Sequence, residues 1–122
     1  MKRQTFAKLV QLALDRIPEE FQAALKNLAI VISDHPSPKI IKEMTDGPDE
    51  TLYGLYQGVP LPERGADYAG MTPDVIILYQ KPLEEDFPNR RDLIREIETT
   101  LVHEIAHYFG FGEETLKRYG YD

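Results

Sequence analysis

His103-Glu104-Ile105-Ala106-His107, with Gly110 and Glu113 following, closes a periodic stretch that starts near Arg90, and the rest of the chain is read outward from it. Apolar residues recur through this stretch at helical spacing, so one long helix is expected from Arg90 to Phe109. Gly110 and Gly112 end it, as glycine does at a helix C-terminus. With His103 set at zero on a wheel of about 100° per residue, Glu96 falls at about 20°, His107 at about 40°, Thr100 at about 60° and Glu104 at about 100°. Ile97, Tyr108, Leu101, Ile94 and Ile105 fall between about 120° and 200°, with Phe109 and Val102 at about 240–260°. One face of the helix is therefore built for a core. The other carries two imidazoles, the Glu104 carboxylate and Glu96.

Histidines at i and i+4 lie one above the other on a helix, close enough to share a metal ion at about 2.0–2.1 Å. The H-E-x-x-H spacing is that of zinc hydrolases, in which the intervening glutamate serves as general base on a metal-activated water. Catalytic zinc takes a third protein ligand and keeps one position open. A left-handed turn at Gly110 brings the following chain back towards the histidines, which makes Glu113 the candidate third ligand and Glu114 its alternative. Glu104 is the candidate catalytic base, and Glu96 a candidate outer partner of an imidazole. The competing account of the motif is a pair of solvated surface histidines.

The remainder reads as a small α+β domain. Phe6, Leu9, Val10, Ala13, Leu14 and Ile17 mark an opening helix, with Thr5 as its candidate cap. Phe21, Ala24, Leu25 and Leu28 mark a shorter apolar stripe. Leu28 to Ile32 reads as a buried strand, and Lys39 to Met44 as a short helix or an irregular crossing. Thr45 to Glu50 and Pro60 to Gly70 read as loops. Thr51 to Val59 reads as a strand carrying two glycines. Val75 to Tyr79 is the strongest strand, closed by Gln80-Lys81-Pro82, and a last helix is expected from Glu113 to Tyr119. The order implies a small mixed sheet with helices packed on one face.

Bulk properties narrow the function. The 122 residues suit one domain, 1–122, and 42% hydrophobic content supports a real though small core. Net charge is −7, which argues against nucleic acid as a partner because phosphate binding needs a basic surface. Cysteine is absent, so any metal must be held by His, Asp or Glu. Lys8, Asp15 and Arg16 interrupt the apolar positions near the start, and no stretch is long enough to span a bilayer. A cytoplasmic protein without a membrane role is expected.

The run His103 to Glu113 resembles the extended zincin motif H-E-x-x-H-x-x-G-x-x-(H/D). Together with Leu55-Tyr56-Gln57-Gly58-Val59-Pro60-Leu61 and the strand Val75 to Tyr79, it resembles a family of small bacterial zincin-like proteins of metallopeptidase type, from about Phe6 onward. The resemblance implies a minimal zincin-like domain whose long helix carries the active site. It implies Zn²⁺ held by His103 and His107, Glu104 as the catalytic glutamate, and a peptide or protein substrate. Two features depart from the pattern. The third position is Glu113, one methylene longer than the aspartate of the motif. No methionine follows the motif, since Met1, Met44 and Met71 precede it, so the methionine turn of metzincins is absent. The alternative expectation is a metal-binding or peptide-binding module of the same fold with little turnover.

Overall fold

The computed structural model describes residues 1–44, 52–58 and 74–121. The loops expected at 45–50 and 60–70 lie outside the described residues. In chain order the elements are α1 (Arg3–Arg16), α2 (Glu19–Gln22) with a 3₁₀ turn (Ala23–Lys26), β1 (Leu28–Ser33), α3 (Pro38–Met44), β2 (Gly54–Gln57), β3 (Asp74–Tyr79), α4 (Gln80–Asp86), α5 (Arg90–Phe109) and α6 (Glu113–Tyr119). This is a small α+β domain with a three-stranded mixed sheet among the described residues. No helix among them is long and apolar enough to cross a membrane.

β3 is the central strand, parallel to β1 and antiparallel to β2. The register puts Ile30, Ile76 and Tyr56 in one row and Ile32, Leu78 and Gly54 in the next. Because strand side chains alternate with a period of two, both rows share one face. That face meets α5, which packs against β2 and β3 and also against α1.

α5 has the bounds expected from its pattern, and both ends are chemically defined. Asn89 is its N-cap, and the side chain accepts from the backbone N–H of Arg91 at 2.9 Å and of Asp92 at 3.3 Å. Gly110 adopts φ 77°, and Phe111 returns its N–H to the Ala106 carbonyl at 2.9 Å. The buried arc of the helix is wider than its apolar stripe. Leu93, Ile97, Leu101, Val102, Ile105, Ala106 and Tyr108 are buried, and so are Glu98 and Thr100. His107 is exposed, while Glu96, His103 and Glu104 are intermediate.

Three expectations change. α1 begins at Arg3 with Lys2 as an uncapped N-cap residue, so Thr5 lies inside the helix. Tertiary contacts tie the start of the helix to the rest of the fold. Arg3 pairs with Asp34 at 2.7 Å, and Gln80 donates to the Met1 carbonyl at 2.9 Å. The apolar stripe after Pro18 divides into one α-turn and one 3₁₀ turn, with Phe21 and Ala24 buried. Gln80-Lys81-Pro82 opens α4 rather than closing β3 into a loop. Pro82 is tolerated there because it stands in the first turn, where its missing N–H would have no helical partner. α4 then buries Leu83 in the core.

Candidate active site

The α5 wedge that carries the histidines is flanked by β2 and by the segment after α6. The ladder decides how β2 presents itself. Tyr79 donates its N–H to the Tyr53 carbonyl at 2.9 Å. By alternation Leu55 and Gln57 then bond to β3, and the backbone groups of Gly54 and Tyr56 point to the other edge. There Tyr56 donates its N–H to Oε1 of Glu104 at 2.9 Å. The strand comes this close because residue 54 is glycine. A Cβ at that position would lie 2.7 Å from Cγ2 of Thr100 and 3.2 Å from the Ile77 carbonyl. The Tyr56 phenol donates to the buried Asp74 carboxylate at 2.6 Å, and its ring meets Tyr108 edge-on with centroids 6.1 Å apart.

Glu104 also meets the second histidine, with Nδ1 of His107 3.3 Å from Oε1 of Glu104. The glutamate side chain is 13% exposed and the imidazole 63%. The hydrogen bond to Glu104 pushes the His107 pKa upward, partial burial opposes it, and the charges of Glu104 and Glu113 add to the rise. Glu113 is therefore near enough for its charge to reach His107. It is the first residue of α6, after Gly112 as N-cap, and both Glu113 and Glu114 are exposed.

His103 turns the other way. Its Nε2 is hydrogen-bonded to the backbone carbonyl of Tyr121. Glu96 lies in its electrostatic range: burial raises the Glu96 pKa, and the charges of His103 and Arg95 pull it back. Glu96 is thus a half-buried neighbour of the imidazole rather than a freely solvated helix residue.

Two residues of this neighbourhood carried no assignment from the sequence. Glu98 is 3% exposed. It accepts from the Tyr121 hydroxyl at 2.6 Å and from Arg95 at 2.9 Å, and Arg16 lies 3.1 Å away. A signal was available for Glu98, because the wheel places it at about 220°, inside the apolar arc. For Tyr121 no local signal existed, since its partners lie on a distant part of the chain. His35 lines an open cleft of about 220 Å³ with Ile41, Leu52, Glu85 and Asp86, to which α5 contributes no residue.

The structure thus joins Glu104 to His107, brings the charge of Glu113 to bear on His107, and sets His103 against Tyr121. Among the described residues no three His, Asp or Glu side chains are gathered closely enough to hold one ion. Histidine and glutamate are residue types that zinc takes. Each imidazole has one ring nitrogen engaged by an oxygen acceptor, the arrangement that leaves the other nitrogen of a neutral ring as a lone pair.

Residues 25–121 match the model of the zincin-like metallopeptidase family. The chain belongs to that family. The match takes in α5, Tyr121 and the three strands found among the described residues. No curated protein matches the chain.

Proposed function

We propose that this zincin-like chain is a zinc-dependent hydrolase of peptide bonds, with His103, His107 and Glu113 as metal ligands and Glu104 as general base. The observation that carries the reading is the position of Glu104. Its carboxylate sits between an imidazole of the motif and an outward-facing amide of the edge strand. A bound Zn²⁺ would acidify a water and polarise the scissile carbonyl.

The chain's own residues supply the rest. An extended peptide pairing with the outer edge of β2 would use the backbone groups of Gly54 and Tyr56, as peptides add to sheet edges elsewhere. Taking the Tyr56 N–H would release the Glu104 carboxylate from the strand and leave it free to face the attacking water. Glu104 would then take the proton of the attacking water and pass it to the leaving amine. The net charge of −7 disfavours polyanionic partners and is compatible with a peptide or protein substrate.

The test is metal content and cleavage measured together. Protein purified without chelator is expected to hold near-stoichiometric zinc, and His103→Ala to lose it. Glu104→Gln is expected to keep zinc and lose cleavage of a peptide panel. Absence of zinc from the wild-type protein overturns the proposal. A second reading, a metal-binding or peptide-binding module with little turnover, is favoured by the engagement of Glu104 with both Tyr56 and His107. Zinc bound tightly with no cleavage of any peptide selects it.

A further inference from the structure

We propose that the cleft at the end of the sheet where β1 and β3 finish and β2 begins is a docking site for the side chain of an arginine carried by a polypeptide partner. The inference is independent of the hydrolase reading, since α5 contributes no residue to the cleft.

His35 and Pro36 follow β1, Ile41 stands on α3, Leu52 precedes β2, and Pro82, Glu85 and Asp86 stand on α4. The cleft measures about 220 Å³, below the roughly 300–1,000 Å³ of pockets that take drug-sized ligands. It has room for a long side chain rather than for a cofactor. Its lining is divided. Pro36, Ile41, Leu52 and Pro82 give apolar walls, and Glu85 and Asp86 give two exposed carboxylates. An aliphatic stem that ends in a cation matches both parts, because long basic side chains lay their methylenes on apolar surface and keep the charged head in water.

The carboxylates stand where their own helix disfavours them. Glu84, Glu85 and Asp86 close α4, and its last turn holds no basic residue. The free carbonyls of a helix C-terminus carry partial negative charge and favour cations. Glu84 is engaged by the Gln80 amide at 2.7 Å, and Asp86 accepts from the Tyr53 hydroxyl, a neutral donor. Among the described residues neither Glu85 nor Asp86 is in an ion pair. Lys42 and Lys81 adjoin Ile41 and Pro82 in the chain, but neither lines the cleft. The Tyr53 phenol feels the resulting field. Burial raises its pKa, and the hydrogen bond and charge of Asp86 and the charge of Glu96 raise it further.

Two successive carboxylates suit a guanidinium better than an ammonium. The guanidinium is weakly hydrated, and its planar fork of N–H donors can pair with two carboxylate oxygens at once. Free arginine fits less well. It would bring its own carboxylate against Glu85 and Asp86, with only the His35 imidazole to answer it. Within a peptide that group is a neutral amide.

The test is a titration followed at the methyl resonances of Ile41 and Leu52, at about pH 8 where an ordinary histidine is neutral. The probes are acetyl-Ala-Arg-Ala-amide, its citrulline and lysine counterparts, and free arginine. The arginine peptide is expected to shift both residues saturably, and added salt to weaken it. The citrulline peptide has nearly the same shape without the charge and is expected to bind about 5- to 10-fold more weakly. The lysine peptide and free arginine are expected to bind more weakly than the arginine peptide. Glu85 is exposed, and its side chain is in no hydrogen bond or ion pair among the described residues, so Glu85→Gln leaves the fold in place. That variant is expected to weaken the arginine peptide about 3- to 5-fold, the scale of one exposed ion pair. Equal binding of the citrulline peptide overturns the proposal, and so does unchanged affinity in Glu85→Gln. A response confined to α5 and β2 marks binding at the motif instead and overturns it too. Lysine peptide or free arginine bound as tightly as the arginine peptide overturns the choice of occupant. No arm reads metal or cleavage, so failure here and failure of the hydrolase reading are separate results.

Discussion

Tyr56 donates its backbone N–H to Glu104 across 2.9 Å, and this single contact couples the edge of the sheet to the motif-bearing helix. It depends on how closely β2 lies on α5, which in turn depends on the absence of a side chain at Gly54.

Gly54→Ala is therefore expected to push strand and helix apart. The added methyl would meet Cγ2 of Thr100 at 2.7 Å and the Ile77 carbonyl at 3.2 Å, and backbone cannot yield as a flexible side chain does. A cost of about 1–3 kcal/mol follows for an overpacked contact, read as a lower urea midpoint. Faster hydrogen exchange at the Tyr56 amide would show that the Glu104 contact lengthens too. An unchanged midpoint and unchanged protection would refute the account of the close approach.

Glu98 should matter in graded fashion. Glu98→Ala removes the acceptor of the buried Tyr121 hydroxyl and leaves a cavity, while Arg16 and Arg95, each about half exposed, can turn to water. The expected loss is about 2–3 kcal/mol, most of it from the unsatisfied phenol and the void. Glu98→Gln keeps an acceptor and is expected to cost about 1 kcal/mol. Equal losses in the two variants, measured by chemical denaturation, would show that charge rather than hydrogen bonding dominates.

Alkaline titration should find tyrosines that ionise late. Burial raises the pKa of Tyr53, Tyr79 and Tyr121; hydrogen bonds to Asp86 and Glu98 add to the rise at Tyr53 and Tyr121. Tyr121 is pushed from 10.0 up to about 12. A group whose folded pKa lies above its unfolded value contributes stability that is fully present below the unfolded pKa and lost as pH rises through the folded one. The stability gap between wild type and Tyr121→Phe is thus expected to hold up to about pH 10 and close between about pH 10 and 12. Denaturation midpoints across that range, with tyrosinate absorbance followed in parallel, check it. A gap that widens with pH would contradict the sign.

α5 was legible in the sequence because its pattern is long and a glycine break follows Phe109. Its histidine wedge was legible for the same reason: rotation per residue fixes which side chains share a face. Strand positions followed from short β-branched runs, as at β1 and β3. α4 was missed because Pro82 looks like a terminator when its place in a first turn is unknown. The partners of the site were not legible. Tyr56 reaches Glu104 across forty-eight positions and Tyr121 reaches His103 across eighteen, and both contacts are made by main-chain atoms, which leave no trace in residue identity.

The outward amide of Tyr56 has one more consequence. An edge strand with open donors is a template on which another copy of the chain can zip up and aggregate. In β2 one such donor is already occupied by a carboxylate from the same molecule, and the strand spans only four residues. Any strand seeking this edge, from a substrate or from a second copy, would have to displace the Glu104 carboxylate from the Tyr56 N–H. Removing that carboxylate is expected to ease pairing at β2, read as more oligomer in Glu104→Ala by light scattering.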